Sequence, residues 1–179
     1  MSLYGVTKRS NELMAHIYAH LFDLDVIMLR FFTVYGPWGR PDMALHRFVS
    51  AIVKGERIEL YNQGDMIRDF TYVSDIVKGM WELHLLQASG KLPGYDVFNI
   101  GCGKPRPLKE FVAAIEASLG KKAKVDLLPF QAGDVYQTFA DVSKLQSKTG
   151  YRPQVEMEKG VAKFVEWFLE YYGNRPEST

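Results

Sequence analysis

The near-continuous apolar run at residues 26–34 constrains the fold of this chain more than any other stretch. Valine, isoleucine, methionine, leucine and phenylalanine occupy all of its positions except Arg30 and Thr33. Strands of this kind are typical of parallel sheets, which are covered on both faces. A helical pattern at residues 4–22, with apolar residues three to four positions apart, leads directly into the run. A helix followed by such a strand predicts part of a parallel α/β sheet.

The rest of the sequence alternates between strand and helix patterns and contains no long linker. We predict strands at residues 58–61, 68–73, 96–101 and 125–128, and helices at residues 44–54, 74–88, 107–119, 141–149 and 157–172. Ser74 or Asp75 is expected to cap the helix that starts beside it. The glycine- and proline-rich loop at residues 35–42 follows the carboxyl end of the 26–34 strand, where open α/β sheets bind ligands.

Charge and cysteine content narrow the class of protein. The 22 basic and 21 acidic side chains give a net charge of +1, so the overall charge offers no basis for binding nucleic acid or a membrane surface. Cys102 is the only cysteine, which excludes an intrachain disulfide and favours a reducing, cytoplasmic setting. The four histidines and Cys102 show no metal-ligand spacing, and we expect no metal site.

Tyr4 and Lys8 form the first candidate catalytic pair. Residues at i and i+4 share one face of a helix, and a neighbouring ammonium lowers the free-energy cost of ionising a phenol. The tyrosine could therefore act as a base nearer neutral pH beside a redox cofactor. Taken alone, the spacing is more often explained by an ordinary surface helix.

Five ordered segments then make the sequence recognisable. They are residues 2–8 (Ser-Leu-Tyr-Gly-Val-Thr-Lys), 29–42 (Leu-Arg-Phe-Phe-Thr-Val-Tyr-Gly-Pro-Trp-Gly-Arg-Pro-Asp), 68–76 (Arg-Asp-Phe-Thr-Tyr-Val-Ser-Asp-Ile), 99–101 (Asn-Ile-Gly) and 133–135 (Gly-Asp-Val) ahead of Ala-Asp. From residue 2 to about residue 172 the chain resembles the extended short-chain dehydrogenase/reductase family, also called the NAD-dependent epimerase/dehydratase family. The loop at residues 38–42 resembles the UDP-glucuronate 4-epimerase group within it.

The resemblance implies an α/β fold, the carboxyl-terminal part of a Rossmann-type enzyme about twice this length. Residues 1–36 would belong to the dinucleotide-binding lobe. Residues 37–179 would form mainly a small α/β substrate lobe, with residues 69–101 partly returning to the Rossmann sheet. The family's glycine-rich fingerprint does not occur, and the stretch from Gly101 to Gly103 is no substitute because it lacks the third glycine and the downstream acid.

The resemblance also implies roles for residues near NAD. Tyr4 would be the general base for the sugar 4-hydroxyl. Lys8 would hold the nicotinamide ribose and lower the pKa of Tyr4, and Phe32 would line the nicotinamide.

The substrate residues carried over are Thr33, Arg40, Tyr61, Arg68, Asn99 and Asp134. Thr33 would contact the sugar, and Arg40 the diphosphate or the glucuronate carboxylate. Tyr61 would lie beside uracil, Arg68 would clamp the diphosphate, Asn99 would contact the nucleotide, and Asp134 would bind the uridine ribose. Gln131 replaces an arginine that many relatives carry three residues before the aspartate. Without the resemblance, Arg68 and Asp69 would be interpreted as a surface ion pair.

The implied reaction is NAD-dependent epimerisation at C4 of a UDP-sugar, through hydride removal and return. Two alternatives remain open: a non-catalytic nucleotide-sugar-binding or assembly fragment, and a decarboxylase or dehydratase of the same family. We expect the chain to be inactive alone, since most of the NAD site would lie in the other half. We also expect it to form a homodimer or larger assembly, because the first helix and strand would expose apolar surface.

Overall fold

The computed structural model describes residues 3–131 and 133–173 as alternating helices and strands. The helices are α1 (Leu3–Phe22), α2 (Ala44–Lys54), α3 (Val73–Ala88), α4 (Leu108–Leu119), α5 (Ser143–Thr149) and α6 (Met157–Gly173). The strands are β1 (Val26–Phe31), β2 (Thr33–Tyr35), β3 (Arg57–Leu60), β4 (Ile67–Arg68), β5 (Phe70–Tyr72), β6 (Tyr95–Ile100), β7 (Arg106–Pro107) and β8 (Lys124–Leu127). A short 3₁₀ turn covers Tyr61–Gly64. The predicted α/β fold is confirmed.

Three of the four strand pairs are parallel. β1 pairs with β6, β2 with β5, and β3 with β8, whereas the two-residue strands β4 and β7 are antiparallel. Parallel neighbours need a crossover connection, and the helices between these strands supply it. α1 packs against β1 and β6, and α5 packs against β6 and α3.

The apolar run at residues 26–34 is two strands, so the prediction of one continuous strand was wrong. Phe32 separates them: its N–H still donates to Ile100 O of β6, at 3.2 Å, while the N–H of Thr33 donates to Asp69 O beside β5, also at 3.2 Å. The chain therefore changes partner at this residue. β1 is half-buried rather than covered on both faces, and Phe31 at its end is exposed.

Two apolar clusters form the core. The larger joins α2, α4 and α6 to β2, β3 and β5, and at its centre Phe70 stacks on Phe111 with ring centroids 4.0 Å apart. The smaller surrounds β6 and contains Phe98, Ile100, Leu145 and Tyr151. The larger cluster supports the elements that line the cleft described below.

Two helix starts differ from prediction for identifiable reasons. α4 begins at Leu108 because Arg106 and Pro107 pair with β4. α3 begins at Val73 without a side-chain cap, and the buried Asp75 carboxylate instead accepts the backbone N–H groups of Gln154 and Val155, both at 3.0 Å. The predicted strand at residues 68–73 is likewise interrupted, since β4 ends at Arg68 and β5 begins at Phe70.

Within the described residues, no helix combines the length and apolar character needed to cross a bilayer.

Candidate active site

A cleft of about 300 Å³ lies between the start of β2, the first turns of α2 and the β3–β4 connection. It is called the main cleft below. Four of the six predicted substrate residues line it, and these are Thr33, Tyr61, Arg68 and Asp134. Met66, Phe70 and Leu108 supply apolar lining. A cleft with apolar walls and a few convergent polar groups is the usual form of a small-molecule site.

Arg68 is a charged group of the main cleft that three hydrogen bonds hold in place. Its Nη2 donates to Asp134 Oδ1 at 2.9 Å, and its Nη1 donates to Ile67 O at 3.0 Å and to Tyr136 O at 3.1 Å. These bonds use three of the five guanidinium N–H groups and hold the side chain, which is only 16% exposed, in one orientation. The remaining donors suit an anionic oxygen, because a guanidinium forms planar, bidentate contacts with phosphates and carboxylates.

Asp134 lies on an irregular segment that is fastened to β4. Ile67 N donates to Tyr136 O at 3.0 Å, Thr138 N returns to Ile67 O at 3.1 Å, and Gln137 forms a parallel bridge with Ile67. The Asp134 carboxylate also accepts the N–H of Val135 at 2.7 Å. Residues 136–138, which follow a predicted loop, thus lie alongside β4 and are hydrogen-bonded to it.

Asp69 is a buried junction that sequence reasoning missed. Its side chain is fully buried and accepts backbone N–H groups of Cys102 at 2.8 Å, Gly103 at 2.9 Å and Ala140 at 3.0 Å. Thr71 Oγ1 adds a fourth bond at 3.3 Å. The surface-pair interpretation of Arg68 and Asp69 is therefore wrong. One sequence signal for this role was available: the loop at residues 101–103 follows a predicted strand, is flanked by glycines, and has backbone N–H groups that need an acceptor.

This junction also bears on the stretch from Gly101 to Gly103. Because the N–H groups of Cys102 and Gly103 are donated to Asp69, they are not free to bind a pyrophosphate. Burial and the nearby Asp69 charge raise the pKa of the Cys102 thiol, which keeps it neutral. The loop is part of the scaffold of the site.

Arg40 lines a small cavity of about 40 Å³ that shares Thr33, Met43 and Phe70 with the main cleft. Its Nε and Nη2 donate to the two carboxylate oxygens of Asp42, at 3.0 and 2.5 Å. This ion pair raises the pKa of Arg40 and lowers that of Asp42.

Tyr4 and Lys8 share one exposed face of α1. The Lys8 ammonium lies 5.5 Å from the centre of the Tyr4 ring, and Tyr4 is 70% exposed. The predicted juxtaposition of phenol and ammonium is present, and both groups are open to a ligand. Phe32 lies at the break between β1 and β2 and is half-buried.

Asn99 is not brought to the main cleft. Its Nδ2 donates to Asp141 O at 3.0 Å, which links β6 to the segment before α5. The proposed nucleotide contact by Asn99 stays a prediction. Among the residues that the structure describes, no group of three or more His, Cys, Asp or Glu side chains is arranged to hold a metal ion.

Comparisons with known proteins identify what this arrangement resembles. Residues 1–101 match the NAD dependent epimerase/dehydratase family. The chain is 52% identical, over 95% of its length, to an uncharacterised protein of Methanocaldococcus jannaschii, and 45% identical, over 96% of its length, to a probable UDP-glucuronate 4-epimerase of Rhizobium meliloti. It covers 51% and 54% of those proteins.

A solved structure gives the same result. The UDP-glucuronic acid 4-epimerase of Bacillus cereus, crystallised with UDP-glucuronic acid and NAD, superposes with a TM-score of 0.87 at 33% identity, over 94% of this chain and 53% of that one. The chain thus spans about half the length of the curated relatives it matches. The resemblance inferred from the five sequence segments is confirmed, and the chain belongs to the NAD-dependent epimerase/dehydratase family.

Proposed function

We propose that this chain carries the proton-transfer pair and the substrate cleft of an enzyme that inverts C4 of a UDP-sugar, with UDP-glucuronate as the favoured substrate. The observation that carries the proposal is the convergence of Thr33, Tyr61, Arg68 and Asp134 on one cleft, continuous with the cavity of Arg40. UDP-glucuronate matches this distribution of groups, because it carries a planar base, two ribose hydroxyls, a diphosphate and a carboxylate.

The main cleft supplies the nucleotide end. Arg68 is held by Asp134 and two carbonyls, so its free N–H groups are pre-oriented toward the diphosphate, and little side-chain entropy is lost on binding. Asp134 is well suited to accept the ribose hydroxyls, and the Tyr61 ring offers a flat surface for uracil. Arg40 and Thr33 serve the sugar end, with Arg40 facing the C6 carboxylate.

The residues of α1 supply the proton chemistry. Tyr4 takes the proton from the sugar 4-hydroxyl and gives it back, and Lys8 stabilises the phenolate. NAD, when bound, would accept and return the hydride at C4. The exposed face of Tyr4 and Lys8 fits the nicotinamide ribose, with Phe32 lining the ring. The N–H groups of Cys102 and Gly103 are donated to Asp69 and are not available to the pyrophosphate of NAD.

Binding of UDP-glucuronate, measured by calorimetry, tests the cleft. Arg68→Ala should weaken binding at least tenfold, since a hydrogen bond to a charged group contributes about 1.5–3 kcal/mol. The matched control is Arg57→Ala: Arg57 is also paired with an aspartate, Asp126 at 2.6 Å, but it lies outside the main cleft. Absence of binding by the unsubstituted chain, or an equal loss in the two variants, would contradict the proposal.

Turnover separates the catalytic proposal from the binding-only alternative. We expect the 179-residue chain to bind UDP-glucuronate without converting it when NAD⁺ is added. If chromatography detected UDP-galacturonate, the chain would hold enough of the NAD site to act alone. A 4-keto or decarboxylated product would instead favour the dehydratase or decarboxylase alternative.

We further propose that the chain self-associates through α1.

A further inference from the structure

Trp38 has an unusual backbone conformation for a bulky residue. Its φ angle is +62°, in the left-handed region that side chains other than glycine rarely adopt. The side chain is 72% exposed, so burial does not offset this strain. Strained residues persist where surrounding contacts hold them, and they cluster at functional sites.

The contacts that hold Trp38 come from the end of α6. Its ring centre lies 5.2 Å from that of Trp167 and 4.9 Å from that of Tyr171, the latter in a T-shaped arrangement. Trp167 and Tyr171 themselves stack at 5.4 Å with an interplanar angle of 18°. Offset and edge-on geometries such as these are favourable between aromatic rings. Trp38 thus covers an aromatic pair on a helix of the core.

Among the described residues, the backbone hydrogen bonds of the loop that carries Trp38 lie near its ends or within it. Gly36 follows β2 with φ +143°, and a Cβ at this position would collide with Val73. The N–H of Met43 donates to Arg40 O at 3.1 Å just before α2. Gly39 N donates to Gly36 O at 3.1 Å within the loop. Among the described residues, the Arg40 guanidinium bonds only to Asp42, which lies on the same loop. The Trp38 rings therefore link the middle of this loop to α6.

We propose that Trp38 is a positioning residue for substrate selectivity: its rings pack on Trp167 and Tyr171 and act as a clamp, which holds the loop so that Arg40 faces the sugar end of the bound substrate. The inference rests on the proposed function and deepens it. Arg68 already provides the cation at the nucleotide end, whereas Arg40 lines the adjoining cavity, which shares Thr33 with the main cleft. The clamp therefore acts on recognition of the charged sugar and leaves recognition of the nucleotide unchanged.

Calorimetric titration with UDP, UDP-glucose and UDP-glucuronate tests this selectivity. In Trp38→Ala, affinity for UDP-glucuronate should fall about tenfold, the effect of losing one well-placed polar contact, while affinities for UDP and UDP-glucose stay within about twofold. Trp38→Tyr keeps an aromatic ring and should retain most of the preference. Trp81→Ala is the matched control, because Trp81 is also exposed (59%) and in contact with a ring, that of His84, but lies on α3. It should change none of the three affinities.

The possible results separate this inference from the proposed function. An equal loss for all three ligands in Trp38→Ala would give the clamp a merely structural role and overturn the inference. Unchanged binding of UDP-glucuronate would overturn it as well. UDP binding by the unsubstituted chain with no preference for the glucuronate would overturn the inference and leave the nucleotide cleft standing. No binding of any ligand would overturn the proposed function and the inference together.

Discussion

The attachment of α1 to the sheet depends on one buried carboxylate, that of Glu12. Glu12 and Ala19 are the only buried residues of this helix in the described part of the chain. Arg30 of β1 donates to both carboxylate oxygens at 2.6 and 2.7 Å, and Arg9 adds a bond of 2.5 Å. The Tyr95 hydroxyl donates to Glu12 O at 2.9 Å. The helix that carries the catalytic pair is therefore held to the sheet largely by polar bonds, which makes its position sensitive to pH.

Acid should weaken this attachment, and Glu12→Gln should remove the effect. Hydrogen bonds from Arg30, with help from Arg9, lower the pKa of Glu12 from 4.5 to about 2. A carboxyl whose pKa is lowered by folding stabilises the folded chain above pH 4.5, and this stabilisation is lost as the pH falls toward 2. The shift corresponds to roughly 3 kcal/mol at most. In urea unfolding between pH 7 and 3, the free energy of unfolding should fall less with decreasing pH in Glu12→Gln than in the unsubstituted chain.

Glu156→Gln is the control for the acid effect. Glu156 pairs with Lys104 at 3.6 Å, and both side chains are about two-thirds exposed. Exposed pairs of this kind contribute about 0–1 kcal/mol. If this variant flattened the pH dependence as much as Glu12→Gln, the pH effect could not be attributed to the buried carboxylate.

The roles of Glu12 and Asp69 mark the limit of sequence reasoning about the site. The resemblance named residues that lie together in the main cleft, such as Arg68 and Asp134, because the motifs carry them, and their roles stay predictions. The N–H groups that Asp69 accepts come from residues up to 71 positions away. No local pattern specifies which distant backbone groups a buried carboxylate will meet, so these supports could be found only in the folded chain.

At the scale of elements, the sequence patterns predicted whether a segment is a helix or a strand better than they predicted which strands pair. Helices α2, α4 and α6 lie within one or two residues of their predicted bounds, because apolar spacing and terminal glycines are local signals. The change of partner at Phe32 could not be predicted. An apolar run reports that a strand is covered but does not report which strands border it, and here β6 ends where β5 begins to pair.

The close approach of α6 to the β2–β5 pair predicts that Gly160→Ala destabilises the chain. A Cβ at this position would collide with Tyr35 Oη and lie 2.8 Å from Tyr72 Cδ2. In an open helix the same change usually stabilises by about 0.5–1 kcal/mol. Here we expect a net loss of about 1–3 kcal/mol from overpacking, measured by urea unfolding.

Gly173→Ala provides the comparison within the same helix. Within residues 3–131 and 133–173, no atom lies within 4 Å of a Cβ built at Gly173, so the effect of this change should stay within about 0.5 kcal/mol. A stabilising Gly160→Ala would mean that α6 does not pack against Tyr35 and Tyr72 as closely as described.

At the scale of the whole molecule, α1 presents an apolar face that no other described element covers. Its side chains are more than half exposed at Leu3, Val6, Leu13, Met14, Ile17, Tyr18, Leu21 and Phe22. Contiguous apolar patches of this kind are uncommon on isolated domains and mark interaction surfaces. A second copy of the helix can cover the face symmetrically, because a two-fold interface uses the same patch on both subunits.

We therefore expect the chain to self-associate, and Leu13→Glu combined with Ile17→Glu to disperse it. Both side chains lie on the exposed face, one turn apart, and a carboxylate at either position would have to be desolvated in the interface. Sedimentation velocity over a range of concentrations should show dimers or larger species for the unsubstituted chain and mainly monomers for the double variant. Leu169→Glu, at an exposed leucine of α6, should leave the distribution unchanged. A monomer at every concentration, or equal dispersal by Leu169→Glu, would rule out α1 as the contact surface, and its apolar face would then remain uncovered in solution.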